Sequence, residues 1–402
     1  MTIAEGPSRR LAAVAGCCHR RRCLSMRGTG SASLNRFWSQ PMTVAFRSKP
    51  VTVEDPAYRG LAIGTYAPAV TPAPAFAQTD LKIPYVTELL SKAILPDDDA
   101  QFAGVFDGKS SSPYVQSLVE SSDFVLALGV WLTDINDLGW PIDLDKTAFA
   151  SWNTLKYGTS FIAQVSLADR VDGLIDKRVT CKDRILPANT VQQAPVMNPA
   201  DELTYQVFYD FIQSQVDEDT IVGADASLNY FGSMLLKVGA RRGFIVQSSY
   251  SAIGYIGPAA TGLSLAKQDG QRLMVLSGDG GFRMTVQCLS TQTRFNLNPI
   301  IFVTDNGVYG VEQWLADAPV FHGSKPFYNS CILHRWNYSK LAEVFGCQGW
   351  KVHTYGELVA AINGAKDNLN SPFIIQVVVP QRSIPDNANW KQTKVADGRA
   401  VL

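Results

Sequence analysis

Acidic residues are almost absent from positions 1–50 of this 402-residue chain, where Glu5 stands alone against nine lysines and arginines. The remainder holds 27 basic and 35 acidic residues, and the formal net charge of the whole is zero. No basic stripe runs through the chain, so nucleic-acid binding gains no support. A run of about 18 apolar residues is also missing, and no membrane span is expected. The seven cysteines are odd in number and scattered, at 17, 18, 23, 181, 288, 331 and 347. No paired framework emerges from them, which points to a reducing compartment, the cytoplasm. The cluster Cys17-Cys18-His19 … Cys23 has no second ligand pair at finger-like spacing, which disfavours zinc. No G-x-G-x-x-G follows a strand with an acidic residue about 20 positions on, so a generic dinucleotide binder is disfavoured as well. No internal repeat of fixed period is visible.

Apolar residues make up 46% of the chain and charged residues 18%, enough to fill real cores. Residues 1–50 read as a basic segment that is disordered, not native coding sequence, or an organellar presequence. Residues 51–80, with Ala67-Pro68-Ala69-Val70-Thr71-Pro72-Ala73-Pro74-Ala75, read as a linker. An α/β domain is expected over 81–180, with a helix at Val115–Glu120, strands at Asp123–Leu132 and Phe149–Tyr157, and a helix at Ala168–Ile175. A proline-containing linker follows over 181–200. Over 201–385 strands and helices alternate, and 386–402 reads as a tail. Expected helices there are Leu203–Val216, Tyr230–Val238, Ile253–Ala266, Phe282–Phe295, Tyr338–Phe345 and Gly356–Asp367. In the last, Leu358, Ala361, Ile362 and Ala365 keep the spacing of one buried face. Strands are expected at Thr220–Gly223, Gly243–Gln247, up to Gly278, at Pro299–Val303, near Trp350–His353 and at Phe373–Val379. The fold class is α/β, two domains each with a doubly wound parallel sheet covered on both faces.

Two turns carry the chemistry. Gly278-Asp279-Gly280-Gly281 ends the apolar run Leu273–Leu276, and Asp305-Asn306-Gly307 ends the run Pro299–Val303. Open α/β sheets bind ligands at the carboxyl ends of their strands, where both turns fall. Asp279 and Asn306, 27 positions apart, could share one hard cation, since Mg²⁺ takes carboxylate, amide and phosphate oxygens. The glycines let a diphosphate approach the backbone and the N–H groups opening the next helix. The plainer readings are an Asp accepting bonds within a Gly-rich turn and an Asn adopting a left-handed turn.

This pattern resembles the diphosphate-binding motif of thiamine-diphosphate enzymes, a GDG followed by an Asn-bearing turn. The likeness extends through Thr285-Val286-Gln287, Val308-Tyr309-Gly310 and Glu312, through Ser251-Ala252-Ile253-Gly254, and back to Val119–Gly129. Over about Leu81 to Pro380 the chain is similar to the pyruvate and indolepyruvate decarboxylase branch. The resemblance implies thiamine diphosphate and Mg²⁺ as cofactors, with Asp279, Asn306 and the Val308 carbonyl as metal ligands. Gly278, Gly280 and Gly281 would line the diphosphate, and Ile253 would prop the cofactor into its bent form. Glu312 would face a 2-oxo acid substrate and manage protons after carbon dioxide leaves, which requires a raised pKa. The family usually has two Asn where this chain has Asp305-Asn306, and the extra negative charge would weaken diphosphate affinity.

Other parts of the family pattern are missing. The branch carries a His-His pair, whereas His19, His322, His334 and His353 are dispersed. The family's N-terminal pyrimidine-binding domain supplies a Glu that activates the cofactor, and residues 1–80 show no counterpart. The expectation is a truncated decarboxylase that needs this domain from another chain or from upstream sequence, in a homo-oligomer with cofactor sites between two subunits. The alternatives are a non-catalytic cofactor-binding subunit paired with a full-length paralogue, and a carboligase of acetolactate-synthase type.

Overall fold

A computed structural model describes residues 63–64, 84–130, 145–151, 153–165, 167, 197–248 and 250–392. The expected helix at 168–175 and most of the linker at 181–200 lie outside the described residues.

Two sheets organise the chain. The first contains β1 (Ile63–Gly64), β2 (Tyr85–Thr87), β3 (Phe102–Val105), β4 (Val125–Leu128), β5 (Thr147–Ala150), β6 (Thr154–Tyr157) and β7 (Ser160–Ala163), in the order β3-β2-β1-β4-β5-β6-β7. Its first five strands are parallel, but β5, β6 and β7 pair antiparallel. Two expectations are corrected here. The segment 51–80, read as a linker, contains β1, which lies between β2 and β4. The single strand expected at Phe149–Tyr157 is two, because the chain reverses after Ala150, where Ser151 N–H donates to the Thr154 carbonyl at 2.9 Å. Helix α1 (Pro113–Glu120) packs Val115 and Val119 onto this sheet, opened by Ser112, whose hydroxyl accepts the Val115 N–H, and by Pro113 at its first position.

The second sheet is wholly parallel. Its elements in chain order are α2 (Tyr205–Gln215), β8 (Thr220–Ala224), α3 (Leu228–Met234), β9 (Phe244–Val246), α4 (Ile256–Ala266), β10 (Arg272–Gly278), α5 (Asp279–Thr285), α6 (Cys288–Arg294), β11 (Ile300–Asp305), α7 (Gly310–Asp317), α8 (Tyr338–Val344), β12 (Gln348–Val352), α9 (Tyr355–Asp367) and β13 (Phe373–Val378). The strand order is β12-β13-β11-β10-β8-β9. Strands β10 and β11 carry the apolar runs Leu273–Leu276 and Ile300–Val303 and are buried along almost their whole length, because helices cover both faces of the sheet. Helix α9 turns Leu358, Ala361, Ile362 and Ala365 inward, as their spacing predicts, and a capping box between Thr354 and Glu357 starts it. The helix expected over Phe282–Phe295 is two, α5 and α6, and it starts earlier, at Asp279. The expected tail opens with a 3-10 turn, Asp386–Gln392, whose Trp390 packs edge-on against Trp314.

The sheets share one apolar core, with Tyr85, Leu89 and Phe102 of the first clustered with Phe208, Phe244 and Phe302 of the second. Buried polar contacts join them. Lys92 and Asp97, each 1% exposed, form an ion pair. Asp97 also accepts the Val238 N–H at 3.1 Å, and Tyr230 donates its hydroxyl to Asp107 at 2.9 Å. No described helix is long and apolar enough to cross a membrane.

Candidate functional site

The chain runs from β8 outward to β9 and then returns past β8 to β10. Strand order therefore reverses between β8 and β10, leaving a crevice at their carboxyl ends. The two Gly-rich turns open at that edge. Gly278 ends β10 opposite Thr304 of β11, so Asp279 and Asn306 follow neighbouring strands.

Asp279 is 2% exposed. Its Oδ1 accepts the N–H of Gly280 and its Oδ2 the N–H of Gly307, both at 2.9 Å. One carboxylate thus ties the first turn to the second, and each oxygen keeps a further lone pair. Asn306 is equally buried, and its Oδ1 accepts the Val308 N–H at 3.1 Å. Gly307 has φ +71°, the left-handed geometry that bends the chain back toward Asp279. Burial pushes the Asp279 carboxyl up to about 7, and the negative charge of neighbouring Asp305 pushes the same way.

The donor set suits a hard cation: a carboxylate, an amide oxygen and main-chain carbonyls. No cluster of three or more His, Cys, Asp or Glu able to hold a metal occurs among the described residues. A cation here would rely on Asp279, neutral protein oxygens and oxygens of its own ligand. The floor of the crevice admits no side chains. A Cβ at Gly280 would lie 2.5 Å from the Tyr309 ring, and one at Gly281 would lie 2.3 Å from Asp225 Oδ2.

Asp225 is the residue that sequence reading missed. It follows β8 directly and is fully buried. Its two oxygens accept the Gly254 N–H at 3.1 and 3.0 Å, and Oδ2 also accepts the Ser277 hydroxyl at 3.0 Å. Burial raises its pKa, against the lowering pull of these bonds. Its position two residues past the expected strand Thr220–Gly223, on the same edge as the other two turns, was the available signal.

Asp225 also corrects the reading of Ile253. That residue was expected at a helix start, but α4 begins at Ile256. Ser251 and Gly254 take positive φ, +48° and +82°, so Ile253 rides on a tight turn instead. Asp225 holds that turn from one side, and Thr285 donates its hydroxyl to the Gly254 carbonyl at 2.8 Å from the other. Ile253 is half-buried there.

Val308 is 2% exposed and bridges Ile332. Glu312 sits exposed in the first turn of α7, and partial burial of its carboxyl raises its pKa. Trp314 is a packing residue, with its indole N–H donated to the Ala388 carbonyl. His322 and His334 are exposed, and His334 bears on the site through its carbonyl, which accepts from Arg283 at 2.9 Å.

Comparison with known proteins gives the family of this fold. Residues 227–377 match the C-terminal TPP-binding domain of thiamine pyrophosphate enzymes, and residues 65–154 match the central domain of the same enzymes. The chain is 26% identical over 319 residues to an alpha-keto-acid decarboxylase of Mycolicibacterium paratuberculosis, covering 75% of this chain and 54% of the relative. It is 27% identical over 319 residues to the alpha-keto-acid decarboxylase of Mycobacterium tuberculosis strain H37Rv, with the same coverage. The chain thus spans about half the length of the curated relatives it matches. A crystal structure of a protein from Mycobacterium smegmatis shares the fold with a TM-score of 0.55 at 20% identity, over 75% of this chain and 57% of that one.

Proposed function

For a chain that belongs to the thiamine pyrophosphate enzymes, we propose non-oxidative decarboxylation of a 2-oxo acid, dependent on thiamine diphosphate and Mg²⁺. The observation that carries this is the joined pair of turns at the ends of β10 and β11, with Asp279 bonded across to Gly307 and Glu312 one helical turn beyond. Asp279, Asn306 and the Val308 carbonyl would hold the metal, and Gly280 and Gly281 would leave room for the diphosphate. When bound, thiamine diphosphate supplies an electron sink for the electrons left by departing carbon dioxide.

The chain's own residues would do part of the rest. Asp279 would hold the metal as a carboxylate, after losing its proton, and so anchor the diphosphate end. The Ile253 turn, held by Asp225 and Thr285, sets the apolar wall of the crevice. Glu312, with its raised pKa, holds a proton nearer neutrality than a free carboxyl does and returns it to the product carbon. The decarboxylase names of the relatives support this reaction over carboligation.

A group that activates the cofactor's pyrimidine ring is the remaining requirement. By family resemblance it comes from a pyrimidine-binding domain, in another chain or in further sequence, and the active unit is a homo-oligomer. The pyruvate or indolepyruvate preference follows the same resemblance. The test is to supply the chain with Mg²⁺, thiamine diphosphate and a separately produced pyrimidine-binding domain, then follow aldehyde release from pyruvate and from indolepyruvate. Aldehyde release that falls at least tenfold in Glu312→Gln supports the reading. Acetolactate as the main product from pyruvate would replace it with the carboligase.

A further inference from the structure

The segment from Cys331 to Ser339 reaches over the carboxyl ends of β10 and β11 and grips the backbone of both candidate ligand turns. Three carbonyls are held at once. Tyr338 donates its hydroxyl to the Asp279 carbonyl at 2.9 Å, and Arg335 donates to the Asn306 carbonyl at 3.2 Å. Leu333 N–H donates to the Gly307 carbonyl at 2.9 Å, while Tyr309 N–H returns a bond to the Cys331 carbonyl at 2.7 Å.

The grip is itself supported. Tyr338 is fully buried, packs edge-on against Phe282, and accepts a hydrogen bond from Arg283 at 2.8 Å. Arg283 stacks on Trp336, with 4.8 Å from guanidinium to ring centre. Buried Gln376 of β13 donates to Asp305 Oδ2 at 2.8 Å and accepts the Ser339 N–H at 3.1 Å, so the segment's end is pinned to the strand that carries Asn306. Arg335 also lies 3.8 Å from Asp305 Oδ1, and its guanidinium covers the open side of Gly307.

We propose that Tyr338 and Arg335 are positioning residues that lock the Asp279 and Asn306 turns into the geometry Mg²⁺ requires. The inference rests on the cofactor reading given above. Neither side chain serves as a ligand; each acts through the carbonyl of a residue that does. Mg²⁺ demands near-ideal octahedral geometry, whereas Ca²⁺ accepts irregular surroundings and variable coordination. A lock on ligand geometry therefore matters more for Mg²⁺ than for Ca²⁺. A role limited to stabilising the fold would affect binding with both ions alike.

The experiment is titration of thiamine diphosphate into the full chain by calorimetry, with Mg²⁺ and separately with Ca²⁺, for the unaltered protein, Tyr338→Phe and Arg335→Met. Loss of one such hydrogen bond corresponds to about a fivefold change in affinity. The expected result is about a fivefold or greater weakening with Mg²⁺ in each variant and less than a twofold change with Ca²⁺, with Arg335→Lys restoring part of the loss. Equal weakening with both ions, or none with either, overturns the inference. Arg335 is 48% exposed, so its variant decides the matter if Tyr338→Phe does not fold. Failure of the unaltered protein to bind thiamine diphosphate with either ion overturns the cofactor reading instead.

Discussion

A carboxylate buried beside a second carboxylate is costly while charged, and it is relieved either by a proton or by a cation; Asp279 lies beside Asp305 in this way. Asp279 has its pKa raised from 3.8 to about 7, by burial first and by Asp305 second. With no cation bound, a raised folded-state value means that Asp279 favours the fold while protonated. That contribution is present in full below pH 3.8 and is lost as pH rises through about 7. Metal binding has the opposite dependence, since only the carboxylate ligates. Thiamine diphosphate affinity at fixed Mg²⁺ should fall by up to about tenfold per pH unit below 7, and calorimetry at pH 6, 7 and 8 in two buffers checks it by the proton released. A flat affinity across that range would remove Asp279 from the metal site.

Gly281 makes a second prediction at this scale. Its missing Cβ would sit 2.3 Å from Asp225 Oδ2, an atom fixed by Gly254 and Ser277. Gly281→Ala should cost about 1–3 kcal/mol in urea unfolding, as overpacking of a closed site does. A cost below about 0.5 kcal/mol would mean that Asp225 swings away freely.

At the scale of elements, Asp225 organises the turn between β9 and α4. Asp225→Ala leaves the buried Gly254 N–H unsatisfied, a loss of about 1–3 kcal/mol. The amide of Gly254 should then exchange with solvent at least tenfold faster, as measured by hydrogen exchange. Unchanged exchange would show that Thr285 alone holds the turn. Much of the architecture was legible in the chain because β10 and β11 are built on the apolar runs Leu273–Leu276 and Ile300–Val303 and α9 keeps its face in strict spacing. Asp279 and Asn306 were legible because each stands three residues past such a run, in a turn with glycine. Where tertiary contacts decide, the pattern was silent. Ser251 and Gly254 take left-handed backbone that delays α4, held by Asp225 just past the end of β8. The break between α5 and α6 falls beside Thr285, which turns its hydroxyl to a neighbouring turn. Strands β5 and β6 read as one because the residues on both sides of the reversal favour strand. Tyr338 and Arg335 lie more than 25 positions beyond Asn306, and no local spacing links them to it.

At the scale of the whole molecule, the two sheets are joined through buried polar contacts as well as apolar ones. Lys92 and Asp97 are each 1% exposed, and Asp97 also accepts the Val238 N–H. Removing one partner of a buried pair strands the other charge, so Asp97→Ala should cost about 3–5 kcal/mol in urea unfolding. A cost under about 1 kcal/mol would mean that the Asp97 contacts contribute little to joining the sheets. The crevice at the strand-order reversal, the bonded turns of β10 and β11 and the tethered Ile253 turn all lie in the second sheet, and the account depends on that assembly binding its cofactor through Asp279. The most direct measurement is calorimetric titration of thiamine diphosphate into the full chain, with Mg²⁺ and with a chelator, for the unaltered protein and for Asp279→Asn. Saturable binding that requires Mg²⁺ and weakens at least a hundredfold in Asp279→Asn is the expected result. Binding that survives the chelator, or that is unchanged in the variant, would contradict it.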